Sequence, residues 1–165
     1  GYFLDDEIMP VQPEELFRSG AVVVENLIVG GNSYDTTVEL MPYPIFPGLN
    51  GTEEDYERSL KLVFGSDNAP AIQAQYPMSR FGGSASAAIT QANSDYIVTC
   101  PSLSIADSIA NTNGTSIFSY RFAHLQKECD PAVVIVPAVP EGMDDWASHG
   151  SELFFVFNSS EYVVS

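Results

Sequence analysis

The sequence is short of positive charge. It has six lysine and arginine residues against 22 aspartate and glutamate residues, which gives a formal net charge of −16. A chain with this balance repels the phosphates of nucleic acids and the surfaces of anionic membranes. The acidic residues are spread along the chain and form no acidic tail, so they indicate a solvated surface that keeps the protein soluble. We therefore expect no nucleic-acid partner.

Long apolar runs and metal-binding or nucleotide-binding motifs are also missing. No apolar run reaches the length of about 18 residues that a membrane span needs. The two histidines, His124 and His149, and the two cysteines, Cys100 and Cys129, are too widely spaced for a zinc pattern. Neither G-x-G-x-x-G nor a P-loop occurs. We therefore expect no membrane span, no metal and no cofactor.

Three N-x-S/T sequons favour the secretory pathway. They begin at Asn50, Asn113 and Asn158, each where a turn is plausible. Cys100 and Cys129 agree with an oxidising compartment if they pair, and the closed loop would then contribute about 3 to 4 kcal/mol. Two buried free thiols are the alternative. On these grounds we expect a secreted glycoprotein.

Two short segments have the pattern of buried parallel strands. Residues 21–31 form a β-branched run that breaks at Gly30 and Gly31, and residues 116–122 are rich in aromatic and β-branched side chains. Two strands alone cannot form a parallel sheet with both faces covered. We therefore expect an α/β fold whose remaining strands come from elsewhere.

Helical patterns fill the sequence between these strands. The segment Thr52–Asp55 resembles a capping box and opens a helix that Gly65 ends. Residues 84–99 and 101–114 predict two further helices, the second opened by a proline in its first turn. Strand, helices and strand in this order are typical of α/β proteins.

One histidine is well placed for proton transfer. His149 stands in the loop "WASHG" before a hydrophobic run, and imidazole is the side chain whose ordinary pKa lies near neutral pH. A histidine base needs a carboxylate that orients it and a hydroxyl that it activates. Asp35 is the strongest carboxylate candidate because it follows the predicted strand end, where α/β sheets gather functional groups. Structural roles for His149 and for His124, and a turn role for Asp35, remain the alternatives.

A nucleophile is harder to find. The elbow motif G-x-S-x-G needs a preceding strand and a small final residue. The segment Gly82–Ser86 lacks a preceding strand and ends in serine where the motif has glycine. Gly31–Asp35 follows a strand but ends in aspartate, which leaves Ser33 as a weak candidate. Cys100 precedes a proline that opens a helix. These residues therefore offer no strong nucleophile, and a small self-contained hydrolase built on Ser33 stays a weak alternative.

These segments together resemble the type-B carboxylesterase/lipase family, which includes the cholinesterases and has the α/β-hydrolase fold. "NLIVGGNSYDTT" resembles the family's strand and acid turn, and places Asp35 at the acid of the triad. "SHGSELFFVF" resembles the block H-G-x-E-[LI]-x-x-V-F, and places His149 at the base. "GYFLDDEIMPVQPEELFRSG", "DYIVTCPSLSIADSIA" and "IFSYRFAH" resemble other family segments in the same order. Thr36 stands where the family usually has glycine.

The resemblance implies that residues 1–165 are the C-terminal part of one α/β-hydrolase domain. In the family the serine elbow and the glycine-rich oxyanion loop come earlier, so we expect an N-terminal chain of the same precursor to carry them. Glu152 matches the buried glutamate that follows the histidine in the family, and the match implies a structural role for Glu152. In cholinesterases the cysteine matching Cys100 pairs with one in a later segment, so a bond between Cys100 and Cys129 is our own inference.

The function that the resemblance implies is serine ester hydrolysis by acyl transfer. This chain would supply the acid and the histidine, and would be inactive alone. The alternative is a cholinesterase-like binding or adhesion module that has lost catalysis.

Overall fold

Two strands are separated along the chain by a run of helices. The computed structural model describes residues 4–5, 7–37, 51–110, 115–124 and 144–158. Within these ranges the elements are α1 (Pro13–Ser19), β1 (Asn26–Asn32), α2 (Glu53–Phe64), α3 (Ala69–Gln75), α4 (Ala85–Ser94), α5 (Cys100–Ala110), β2 (Ser116–Phe122) and α6 (Leu153–Val156). A 3-10 turn at Met78–Phe81 precedes α4, and a π-helical turn at Asp95–Thr99 joins α4 to α5.

The two strands form a parallel pair, as the sequence predicts. Asn26 lies opposite Ser116 and Asn32 opposite Phe122. Helix α5 contacts both strands. Because parallel strands are joined by a crossover, the helices between β1 and β2 form that connection. The α/β architecture is therefore confirmed.

Strand β1 differs from its predicted bounds at both ends. It begins at Asn26, and it does not stop at the two glycines but runs through them to Asn32. A Cβ atom on Gly30 would lie only 2.1 Å from the carbonyl oxygen of Tyr120 on β2. The glycine thus allows close approach of the neighbouring strand and does not end β1.

Helix α2 confirms the predicted capping box. The backbone N–H of Asp55 donates to Thr52 Oγ1 at 3.2 Å, and the backbone N–H of Thr52 donates to the Asp55 carboxylate at 2.9 Å. Gly65 ends the helix with a φ of +84°, a conformation that glycine adopts without strain.

The predicted break between the helices around Pro101 does not occur. The residues from α4 through the π turn into α5 are helical without interruption, and the N–H of Cys100 donates to the carbonyl of Asp95, five residues back. Proline has no N–H, and its ring crowds the carbonyl four residues earlier. The wider π turn lies where that crowding falls, so the chain continues as a helix.

The apolar core lies between the helices and reaches the two loops described below. Its buried members on the helices include Tyr56 and Leu60 of α2 and Ile89 of α4, and Tyr34 and Trp146 pack into the same cluster. Within the described ranges, no helix is both long and apolar enough to cross a membrane.

Candidate functional site

Two loops meet at the carboxyl end of β1. We call residues 32–37, which begin with the last residue of β1, the acid turn, and residues 145–152 the histidine loop. All six residues of the acid turn are buried. In the histidine loop Trp146, Ala147 and Ser148 are buried, whereas His149 is exposed. The site therefore presents one exposed imidazole next to a layer of buried polar residues.

The two predicted site residues are brought together. His149 Nδ1 lies 2.6 Å from Asp35 Oδ1, across 114 positions of sequence. The Asp35 side chain is 7% exposed and that of His149 is 69% exposed. With Asp35 ionised, Nδ1 carries the proton and donates it, which leaves Nε2 as the nitrogen that can accept a proton from a hydroxyl.

The other oxygen of Asp35 and the turn around it are also held. Asp35 Oδ2 accepts the backbone N–H of Asn32 at 2.8 Å. Ser94 Oγ, at the end of α4, accepts the backbone N–H of Thr36 at 3.0 Å. A Cβ atom on Gly31 would lie 2.5 Å from Val98 on the π turn and 3.1 Å from Asp35 Oδ2. The π turn therefore packs directly against the residue that precedes the acid turn.

His149 occupies a tight turn of the histidine loop. The N–H of Ser151 donates to the carbonyl of Ser148 at 3.1 Å, which places His149 and Gly150 at the two central positions. Gly150 has a φ of +82°, which a β-turn tolerates at its third residue when that residue is glycine. The pattern His-Gly thus sets the direction in which the imidazole leaves the backbone.

Backbone bonds and one ring pair fasten the two loops to each other. The N–H of Tyr34 donates to the carbonyl of Ala147 at 2.9 Å. The rings of Tyr34 and Trp146 stack with their centroids 4.1 Å apart and their planes within 4°. Because both rings belong to the apolar core, the distance between the loops is set by packing as well as by hydrogen bonds.

Asn32 makes contacts to the histidine loop that the sequence did not reveal. Its Nδ2 donates to the carbonyl of Ser148 at 2.7 Å and to Glu152 Oε2 at 2.5 Å. Sequence reasoning missed Asn32 and also the ring pair of Tyr34 and Trp146. The only available signal was position, since Asn32 stands at a strand end three residues before the predicted acid.

Two tyrosines report the electrostatics around the site. Burial raises the pKa of Tyr34 to about 12, and the negative charge of Asp145 adds to the effect. Burial also raises the pKa of Tyr120 on β2, with further contributions from the charges of Glu152 and Asp35. Both phenols therefore stay protonated at neutral pH.

Ser33 is not placed for attack on a substrate. It is 1% exposed, its hydroxyl donates to the carbonyl of Asp145, and its oxygen accepts the N–H of Ala147 at 2.9 Å. The hydroxyl instead ties the acid turn to the histidine loop. This geometry is against a small hydrolase built on Ser33.

The structure describes three of the remaining predicted residues, His124, Cys100 and Asn158. His124 packs edge-on against Phe155, with ring centroids 5.4 Å apart. Cys100 is exposed at the start of α5, and Asn158 is exposed just after α6. Asn50, Asn113 and Cys129 lie outside the described residues. Glycosylation and the bond between Cys100 and Cys129 stay predictions.

The described part of the chain shows no metal centre, and a cavity close to the two loops is not lined by the acid or the histidine. Within that part of the chain, no cluster of three or more His, Cys, Asp or Glu side chains could hold a metal ion. A cavity of about 480 Å³ lies behind Tyr34, and its charged walls come from Arg80, Asp95, Arg121 and Asp145. Neither His149 nor Asp35 lines it, so it is not the space in which this imidazole would meet a substrate.

Comparison with known proteins gives two findings. The family model described as "Carboxylesterase family" matches residues 1–164. The chain is also similar to the "cAMP-regulated D2 protein" of Dictyostelium discoideum, with 24% identity over 158 residues, which is 96% of this chain and 27% of that relative. The chain thus spans about a quarter of the length of this curated relative.

Proposed function

Because the chain belongs to the carboxylesterase family, whose fold is that of α/β hydrolases, we propose that it supplies the acid and the base of a serine ester hydrolase. The observation that carries this proposal is the contact of 2.6 Å between His149 Nδ1 and Asp35 Oδ1. A buried carboxylate that orients an exposed imidazole is the arrangement that a histidine base requires.

The reaction would be acyl transfer in two steps. His149 Nε2 takes the proton of a serine hydroxyl as the serine oxygen attacks the ester carbonyl, and returns it to the departing alcohol. A water molecule then attacks the acyl-serine by the same route. Asp35 fixes the tautomer of the ring and stabilises its charged form. Backbone N–H groups would stabilise the oxyanion, each removal costing about 3 to 4 kcal/mol.

The serine and the oxyanion hole would come from a companion polypeptide, an N-terminal chain of the same precursor. The open face of the β1–β2 pair supports this proposal. Ile28 and Phe118 lie opposite each other on that face and are 72% and 61% exposed in the described part of the chain. Parallel sheets are normally covered on both faces, so we propose that these residues, 1–165, are the C-terminal part of one domain that the companion completes.

The substrate would be a carboxylic ester, and the companion would supply most of its pocket. The cavity behind Tyr34 does not reach His149, which supports a substrate space formed only after association. We also propose that the assembled protein follows the secretory route, on the sequons at Asn50, Asn113 and Asn158 and on a bond between Cys100 and Cys129.

The competing function is a binding or adhesion module that keeps the fold and lacks catalysis. The residue at the elbow of the companion distinguishes the two, because serine allows hydrolysis and glycine does not. The paired His149 and Asp35 favour the enzyme, since a module without catalysis has no need of a base oriented in this way.

Hydrolysis of a short p-nitrophenyl ester by the native protein, with its companion present, tests the proposal. We expect turnover that is lost when the elbow serine of the companion is replaced by alanine. Ser33→Ala is the matched control in this chain, and its remaining activity should exceed that of the elbow variant by a wide margin. Absence of turnover from the native protein on several ester lengths would favour the binding module.

A further inference from the structure

We propose that Asn32 is a positioning residue for His149, which it holds in place through both neighbouring segments of the histidine loop. This inference rests on the function proposed above. Asn32 would contact neither substrate nor the reacting atoms. Its effect would pass through Asp35, Ser148 and Glu152.

Asn32 contacts Asp35 directly and contacts the histidine loop on both sides of His149. The backbone N–H of Asn32 donates to Asp35 Oδ2 at 2.8 Å, so the carboxylate turns its other oxygen toward His149. The side-chain Nδ2 of Asn32 donates to the carbonyl of Ser148 and to Glu152 Oε2. These two acceptors bracket His149, one directly before it and one three residues after it.

The orientation of the amide is fixed at a cost. Asn32 is 2% exposed, and its Oδ1 has no hydrogen-bond partner within the described ranges. A flipped amide would set Oδ1 against the Ser148 carbonyl and the Glu152 carboxylate, which are both acceptors. A buried acceptor without a bond is unfavourable, so the contacts of Nδ2 must outweigh that loss.

The geometry explains why the imidazole stays over Asp35 although its side chain is 69% exposed. The turn from Ser148 to Ser151 fixes the local direction of His149, but it does not fix the loop relative to β1. Ser33 and Tyr34 bond the loop before His149, at Asp145 and Ala147. Asn32, the last residue of β1, bonds the part on either side of His149, at Ser148 and Glu152. Loss of the amide should therefore let the histidine loop shift while the acid turn keeps its shape.

Catalysis by the native protein with its companion gives the first test. Because a displacement of about 1 Å can cost about 100-fold in rate, we expect Asn32→Ala to lower kcat by about that factor. KM should change by less than about twofold, because the substrate does not touch Asn32. Asn68→Ala is the matched control, since that exposed amide also donates to a backbone carbonyl, at 2.9 Å.

Glu152 provides the conservative rescue. Glu152→Gln keeps an oxygen that accepts from Asn32, so its kcat should exceed that of Glu152→Ala by about tenfold. Asn32→Asp should be severe because it faces Glu152 with a second carboxylate. The pair Asn32→Asp with Glu152→Gln restores a donor and an acceptor, and should regain about tenfold over Asn32→Asp alone.

A magnetic resonance signal tests the inference independently of ester hydrolysis. The proton on His149 Nδ1, held at the 2.6 Å contact with Asp35, should shift or broaden in Asn32→Ala and stay unchanged in Asn68→Ala. If the native protein hydrolyses no ester, the proposed function fails and this signal still decides the role of Asn32. An unchanged signal in Asn32→Ala, a loss confined to KM, or no rescue by the paired variant would overturn the proposal.

Discussion

The carboxyl end and the open face of the same two strands differ in how far their residues are buried by this chain. At the carboxyl end every residue of the acid turn is buried, and the histidine loop is bonded to it. On the open face Ile28 and Phe118 present apolar side chains to solvent. The chain thus organises its own polar site and leaves an apolar surface to be covered.

This difference predicts two kinds of substitution. A change at the carboxyl end should alter the stability or the chemistry of this chain directly. A change on the open face should act through association with the companion that we propose.

Replacing the acid–base pair should have the largest effect. We expect His149→Ala and Asp35→Asn each to lower kcat of the native protein by about 10⁴-fold. The double variant should be little worse than either single one, because residues that act as a unit are not additive. Fluorescence of Trp146, the sole tryptophan, checks that the fold survives. Losses below tenfold would contradict the assigned roles.

Removing the stacked ring should cost the most stability. Trp146 is almost completely buried and stacks on Tyr34. We expect Trp146→Ala to lower the free energy of unfolding by about 3 to 5 kcal/mol, as for other large-to-small core substitutions. Urea unfolding followed by circular dichroism measures this. An effect below about 1 kcal/mol would show that the loops are joined without the ring pair.

A substitution on the open face should separate association from stability. Phe118→Ala should weaken association with the companion by about 1.5 to 3 kcal/mol, the value of burying one such side chain. Binding of the companion measured by sedimentation shows this effect. Leu62→Ala is the control, since this side chain is also exposed but lies on α2, away from the strands. Equal effects of both variants would remove the distinction between the two surfaces.

Substitution of Gly31, which directly precedes the acid turn, should have a smaller effect that a second substitution can partly reverse. Gly31→Ala would bring a Cβ atom to 2.5 Å from Val98. We expect a loss of about 1 to 3 kcal/mol in unfolding free energy from this overpacking. Val98→Ala in the same chain should recover part of that loss. If it recovers nothing, the π turn does not limit the space beside Gly31.

The helix cap should give the smallest effect, far from both surfaces. Thr52→Ala should cost about 1 kcal/mol in unfolding free energy. The pKa of Asp55 is lowered, first by the hydrogen bond from the Thr52 backbone and then by the Thr52 side chain. A lowered folded pKa means that the stabilisation is present at neutral pH and is lost as the pH falls through that pKa.

Urea unfolding of Asp55→Asn beside the native sequence, between pH 7 and pH 3, measures the pH-dependent part. The difference between the two proteins should shrink in acid. A difference that does not depend on pH would contradict the role of the carboxylate.

Local patterns were enough to predict the strands and the capped helix, and together with the family resemblance they singled out Asp35 and His149, which the structure brings into contact. Those features follow from composition and from short motifs such as the capping box at Thr52 and the block around His149. The predicted end of β1 was wrong because a glycine that allows the close approach of Tyr120 looks the same in sequence as a glycine that ends a strand. The uninterrupted helix through Pro101 was missed because a π turn depends on tertiary packing.

The contacts that join the loops were beyond sequence reasoning for a different reason. Asn32 and Glu152 are 120 positions apart, and Tyr34 and Trp146 are separated by almost as many. No local pattern distinguishes an asparagine whose hydrogen bonds join two loops from an asparagine that only ends a strand. Such pairs become visible only when the fold brings the segments together.

Labelling with a fluorophosphonate tests the central claim most directly, because this reagent reacts with a serine that a histidine base has activated. Treatment of the native protein, followed by separation of the chains and mass spectrometry, locates the modified residue. We predict a modified serine on the companion, with labelling abolished by His149→Ala. A label on Ser33 of this chain, or labelling of the companion that survives His149→Ala, would contradict the claim.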